Sequence, residues 1–177
     1  MYATIEHLKE AEKKLPYLLS NPNIWQTLDV NYFPPRVERL WTQYDENHRL
    51  FIHIIHPTEE LCLFHKHRWP ASFKIVKGSY EMGVSYNKDE ITSEEAYKVD
   101  IISKFILEKG SYYEMTNTHT LHYVKPLKEY SISLMITGPL YKESVFRKEV
   151  LDVKLNELSF DRKIEILENI SKYYPQV

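Results

Sequence analysis

Between Arg36 and Thr137 the apolar residues follow a two-residue rhythm in short runs broken by turn residues. That rhythm constrains the fold more than any other feature of the chain. A strand exposes alternate side chains on opposite faces, so repeated short runs of this kind build an antiparallel barrel or sandwich. The expected strands are 36–44 and 49–56, joined by the polar turn Asp45-Glu46-Asn47-His48, then 61–67, 72–76 and 79–85. Further strands are expected at 97–107, 112–115, 122–124 and 130–137, with a charged loop over 87–96. Only four glycines are present, so Asn, Asp and Pro are expected to make most corners.

The two ends read differently. Ile5, Leu8, Ala11 and Leu15 recur at helical spacing behind Thr4, a candidate N-cap, and Pro16 is expected to end or restart that helix. Asn21-Pro22 suggests a short turn carrying Trp25 and Leu28, completing a helical lead-in over 1–30. At the other end, 157–174 is expected as a helix capped by Ser159, with Ile164, Leu167 and Ile170 on one face and Pro175 beyond it. The 177 residues therefore fit one mostly β domain, its barrel over 36–140, with a helix at each end.

Composition removes several function classes. A net charge of −2, with scattered Lys and Arg, gives no phosphate-backbone footprint, so no nucleic-acid partner is expected. No run approaches a membrane span, and the opening MYATIEHLKEAEKK is charged rather than apolar. Cys62 stands alone, which rules out an intramolecular disulfide. Together these lead to the expectation of a cytoplasmic protein.

His65 and His67 lie one residue apart and so share a strand face with Leu61 and Leu63, while Cys62 and Phe64 face away. Cys62 is therefore not expected as a metal ligand. A second cluster, His119 and His122, follows Gly110. Three neutral imidazoles can hold a divalent transition metal and leave coordination positions open.

In these residues the chain resembles the cupin superfamily, over roughly residues 60–138. His65 and His67 match the paired histidines of its first motif, with Gly78 at the expected distance beyond, and Gly110 matches the leading glycine of the second. Ala71 stands at the motif's glutamate position. Thr116-Asn117-Thr118 replaces the Pro-x-Gly of the second motif, and its histidine position falls at His122, one residue late. The resemblance implies a jelly roll with a metal held by His65, His67 and His122, with His119 competing for the third place or lining the pocket. Three histidines without a glutamate are similar to the thiol dioxygenases, which implies Fe(II), with Zn, Ni, Cu or Mn as other occupants, and a small organic substrate. Phe73 and Ser133 keep positions of that group, but Met135 and Thr137 replace its later histidine and tyrosine, which weakens a thiol substrate. The superfamily also implies a homodimer through edge strands, here from residues 36–56.

Other polar residues carry two readings each. Glu81 is either a carboxylate turned into the site or a solvated strand residue. Tyr80, Tyr112 and Tyr113 are either phenol donors or packing, and Arg68 is either a partner for a substrate carboxylate or a surface charge. Trp69 either caps the pocket or packs on the terminal helix. His53 and His56 sit on opposite strand faces and read as structural, and His7 and His48 as exposed. Beside the metal-dependent oxygenase stand two alternatives: a metal-independent isomerase or epimerase using a histidine base, and a non-catalytic ligand-binding barrel.

Overall fold

A computed structural model describes residues 3–89, 94–141 and 156–175. Ten strands form two antiparallel sheets: β1 Gln26–Val30, β2 Val37–Gln43, β3 Arg49–Ile55, β4 His65–Lys66, β5 Ala71–Lys77, β6 Ser79–Tyr86, β7 Ser103–Glu108, β8 Tyr112–Met115, β9 Thr120–Pro126 and β10 Ser131–Thr137. One sheet runs β1-β2-β3-β10-β5-β8 and the other β4-β9-β6-β7. The last eight strands thus divide between two four-stranded sets, β3-β10-β5-β8 and β4-β9-β6-β7, alternating along the chain except at the β6–β7 pair. This is the strand order of a jelly roll, in which two Greek keys fold over one another.

The larger sheet separates two environments. On its outer face Leu50, Ile52, Ile54, Leu134, Ile136 and Val76 pack under helix α1 (Ile5–Leu19) and helix α2 (Phe160–Ser171). Leu8, Ala11, Leu15 and Leu19 of α1 meet Ile166, Leu167 and Ile170 of α2 over this face. The main apolar core therefore lies outside the jelly roll. Leu134→Ala at its centre is expected to cost about 2–5 kcal/mol, read from the urea midpoint, because rigid neighbours on both sides cannot collapse into the gap.

Both helices begin as the sequence implies. The His7 amide donates to Thr4 Oγ1 at 3.4 Å, and the Arg162 amide to Ser159 Oγ at 3.2 Å. Pro16 does not end α1, which continues to Leu19, because burying Leu15 and Leu19 outweighs one lost amide donor. Helix α2 is shorter than its sequence signal at both ends.

Several strand boundaries also differ. Gln26–Val30 forms a strand paired with β2, where the sequence suggested a turn; Asp29 interrupts its alternation, and only the β2 partner reveals it. Of 61–67 only His65–Lys66 pairs in a sheet, and Leu61 is 75% exposed. The segment after Tyr97 pairs only from Ser103, behind a 3-10 turn at Glu95–Tyr97. Residues 90–93 of the expected 87–96 loop lie outside the described residues. Strands β2 and β3, expected as dimerisation edges, lie inside their sheet, since β1 flanks β2 and β10 flanks β3. No described helix is long and apolar enough to cross a membrane.

Gly78 closes the β5–β6 hairpin at φ +73°, a region that disfavours side chains. A Cβ there would also lie 3.0 Å from Ser131 Oγ and 3.1 Å from the Tyr130 carbonyl. Gly78→Ala is expected to destabilise the fold by about 1–2 kcal/mol in chemical denaturation.

Candidate metal centre

The site lies between the two sheets. β4 delivers His65, the segment directly after it delivers His67, and β9 delivers His122, which sits opposite His65 in the antiparallel register. That pairing joins the two histidine clusters of the sequence on one inward face. His122 Nε2 lies 2.9 Å from His67 Nε2 and 3.1 Å from His65 Nε2. One candidate ligand atom from each ring falls within 4.8 Å of the others.

Three convergent nitrogens need a cation or protons between them. His65 Nδ1 lies 3.4 Å from the Leu63 carbonyl, a contact that favours the proton on Nδ1 and leaves Nε2 as an acceptor. Burial first, then the nearby His65 and Arg39 charges, holds His67 well below the ordinary imidazole value. Burial first, then His65, His67 and His53, does the same for His122. Both rings are therefore neutral near pH 7 and present lone pairs. The spacing fits a shared ion: at metal–nitrogen bonds of about 2.1 Å, separations near 3 Å correspond to ligands about 90° apart. A divalent transition metal held by three neutral imidazoles would keep coordination positions open.

The expected residues divide clearly. His119 is excluded from the triad; its amide donates to Asn117 Oδ1 at 2.8 Å in the turn before β9, and its ring lies against Tyr86. Glu81 faces outward and does not enter the site. Its carboxylate accepts the Tyr123 hydroxyl at 2.5 Å and meets Lys104 at 3.2 Å, because the neighbouring Tyr80 takes the inward face. Tyr80 is fully buried between the sheets and donates to the Tyr113 hydroxyl at 3.0 Å. Tyr113 stacks on Phe73 at 4.4 Å and lies 6.3 Å from the His122 ring. Tyr112 turns outward to Glu12. Ser133 is buried on the inward face, in register with His53 on one side and Ile75 on the other. Half-buried Arg68 accepts the Tyr141 amide on its carbonyl, and Trp69 packs on the interior wall of Phe51, Phe73, Met115 and Met135 rather than on the terminal helix. Cys62 packs outside with Phe64, Leu121 and Tyr123, as its strand parity implies.

Two functional candidates escape the sequence reading. His53, expected as structural, is 6% exposed and lies within electrostatic reach of His65 and His67. Arg39, opposite it in register, donates from Nε to His53 Nε2 at 3.1 Å. Among the described residues no carboxylate pairs with Arg39, and its guanidinium lies 5.8 Å from the Phe51 ring. The signal was present in RVERLW, where Val37, Arg39 and Trp41 share a face. His48 also differs from expectation. It is 2% exposed, held by Asp45 at 2.9 Å and stacked on the half-buried His7 that completes the α1 cap.

No protein-family model and no curated protein matches this chain. Solved structures similar to it include KdgF from Halomonas sp., at 16% identity and TM-score 0.47, over 68% of this chain and 92% of that one. An RmlC-like cupin from Shewanella frigidimarina NCIMB 400 is 13% identical at TM-score 0.46, over 70% and 91% of the two chains. Hydroxypropylphosphonic acid epoxidase from S. wedmorenis is 8% identical at TM-score 0.47, over 66% and 56%. Judged on its own strand order, the chain is a jelly roll that holds a histidine triad between its two sheets.

Proposed function

We propose that the chain is a metal-dependent enzyme of dioxygenase type, acting on a small organic molecule at His65, His67 and His122. The observation that carries this reading is the convergence of three Nε2 atoms, 2.9 and 3.1 Å apart, between the sheets. The three-imidazole donor set fits a divalent transition metal, with Fe(II) the favoured occupant and Zn, Ni, Cu or Mn as others. Bound iron would supply adjacent open positions at which a substrate and O2 can meet.

The chain's own residues supply the rest. Arg39 brings a positive charge without a carboxylate partner, which supports an anionic group on the substrate. By occupying His53 Nε2, its Nε donor places the His53 proton on Nδ1 and so fixes the tautomer. Phe51, Phe73, Met135 and Trp69 form an apolar wall that limits water.

The test is metal content by inductively coupled plasma mass spectrometry, followed by anaerobic Fe(II) loading and oxygen uptake against a panel of small carboxylic acids. About one iron per chain with substrate-dependent oxygen uptake is expected. Stoichiometric metal without oxygen uptake would retain the metal site and reject the oxygenase. No metal after loading would reject the metalloenzyme and favour the isomerase or ligand-binding reading.

A further inference from the structure

The interior wall carries a hydrogen-bond donor that the fold does not use. Trp69 lies two residues beyond His67, on the approach to β5, and packs on Phe51, Ala71, Phe73, Met115 and Met135. Its indole Nε1 is buried, and among the described residues no acceptor reaches it. An indole N–H can only donate, and the side chains of that cluster offer nothing better than the weak thioether sulfurs of Met115 and Met135. Where an indole serves the outer core, this fold does satisfy it: Trp25 donates from Nε1 to the Leu18 carbonyl at 3.0 Å.

The neighbouring polar groups are otherwise matched. Tyr80 donates to the Tyr113 hydroxyl at 3.0 Å, and Arg39 donates to His53 at 3.1 Å. His122 Nδ1, also without a partner, belongs to the metal centre itself. A buried donor without an acceptor lowers stability, and an apolar ring at position 69 would avoid that cost. A ligand that brings the acceptor removes it too.

Strand register places this donor relative to Arg39. Phe51, Met135 and Phe73 form one row across β3, β10 and β5, and Phe73 meets the His67 ring at 5.3 Å. His53, Ser133 and Ile75 form the row two residues to one side, with Arg39 opposite His53. Ala71 and Thr137 form the row two residues to the other side, at the end of β5 from which Trp69 approaches. Arg39 and Trp69 thus bracket the apolar row beside the triad. Successive rows on one face lie about 7 Å apart, so a ligand that reaches both donors is on the order of 10 Å long.

Resting on the reading of the chamber as a substrate site given above, we infer that the substrate is an acid with an uncharged carbonyl or ether oxygen, separated from its anionic group by an apolar segment. Trp69 is the residue that selects for that oxygen, through its indole N–H.

The experiment is isothermal titration calorimetry of the zinc-loaded full chain with two probes, heptanoate and the keto acid of the same length that ends in a methyl ketone. Wild type is expected to bind the keto acid about ten-fold tighter, and Trp69→Phe to bind the two acids within about two-fold of each other. Arg39→Met is expected to weaken both acids and leave their ratio unchanged. In wild type with isotope-labelled tryptophan, the keto acid is expected to move one indole N–H resonance downfield, and heptanoate to leave it in place. Trp41→Phe removes the other indole beside this wall, so the shifted resonance is assigned even if Trp69→Phe does not fold. Equal affinity of wild type for the two acids, binding of neither, a preference that survives Trp69→Phe, or a shift confined to Trp25 or Trp41 overturns the inference. A preference that depends on Trp69 without oxygen uptake on Fe(II) supports it and rejects the oxygenase alone. The same preference without bound zinc supports it and rejects the metal site alone.

Discussion

His122→Ala is expected to reduce bound metal from about one ion per chain to below about a tenth of that, with the fold intact. His122 Nε2 is the nitrogen that both other rings approach, at 2.9 and 3.1 Å, so its loss leaves two ligands, one on the short strand β4 and one just after it. That strand pairs with β9 through His65 and Lys66 alone, and a bare two-ligand site there cannot fix an ion. Fold and site separate in the experiment because the main apolar core lies across the other sheet. Loading wild type with metal at about 1,000 times its dissociation constant is expected to stabilise it by about 4 kcal/mol, and His122→Ala by almost nothing. The readouts are metal stoichiometry and the shift in melting temperature on loading. Equal stoichiometry in the two proteins would remove the triad as the metal site. Cys62→Ser is expected to bind metal like wild type, because that thiol packs on the outer face.

The second large effect lies on the outer face of the six-stranded sheet. Arg162→Ala is expected to destabilise the protein by about 3 kcal/mol at neutral pH and to reduce the part of its stability that is lost in acid. Glu38 of β2 is 3% exposed and accepts two hydrogen bonds from Arg162 of α2, at 2.8 and 2.6 Å, and one from His56 at 2.9 Å. Burial alone would raise its pKa, but the bonds from His56 and Arg162 outweigh burial and hold it at about 2, against 4.5 for a free side chain. The folded value lies below the unfolded one, so protonation favours the unfolded chain. The contribution of Glu38 is complete above about pH 4.5 and is lost as the pH falls through about 2. The shift corresponds to roughly 3 kcal/mol at neutral pH. Without Arg162 the folded value of Glu38 moves up toward that of the unfolded chain, so the difference between variant and wild type is largest near neutral pH and their urea midpoints converge as the pH falls from about 4.5 toward 2. A constant difference from pH 7 to pH 3 would show that the pair does not tie α2 to the sheet.

Much of this architecture was legible because side-chain alternation is a local property. The parity argument placed His65 with His67 on one face and excluded Cys62, and the structure agrees. The cap residues Thr4 and Ser159 could be read for the same reason: a side-chain oxygen ahead of an apolar helical stripe acts over three residues. Features that depend on a distant partner were harder to read. Strand β1 exists because β2 satisfies its backbone, and β4 is short because only two of its residues reach β9. The choice between His119 and His122 needed the register that sets His122 opposite His65. Arg39 and His53 come from neighbouring strands whose pairing no single run reveals, so their hydrogen bond could not be anticipated from either run alone.

In β2, β3, β8, β10 and in β5 up to Val76, odd-numbered positions point inward and even-numbered positions outward, while the register of β1 reverses the parity. Arg39, Phe51, His53, Phe73, Tyr113, Ser133 and Met135 share one parity; Leu40, Ile52, Val76, Leu134 and Ile136 share the other. Ligand recognition and thermodynamic anchoring are therefore interleaved along the same strands yet remain separable residue by residue. Inward positions can be exchanged one at a time to change what the chamber accepts, while their even-numbered neighbours continue to hold the helices in place. A deletion of one residue within β10 would exchange the two sets at once, so point substitution, rather than insertion or deletion, is the open route by which this sheet can acquire a new specificity.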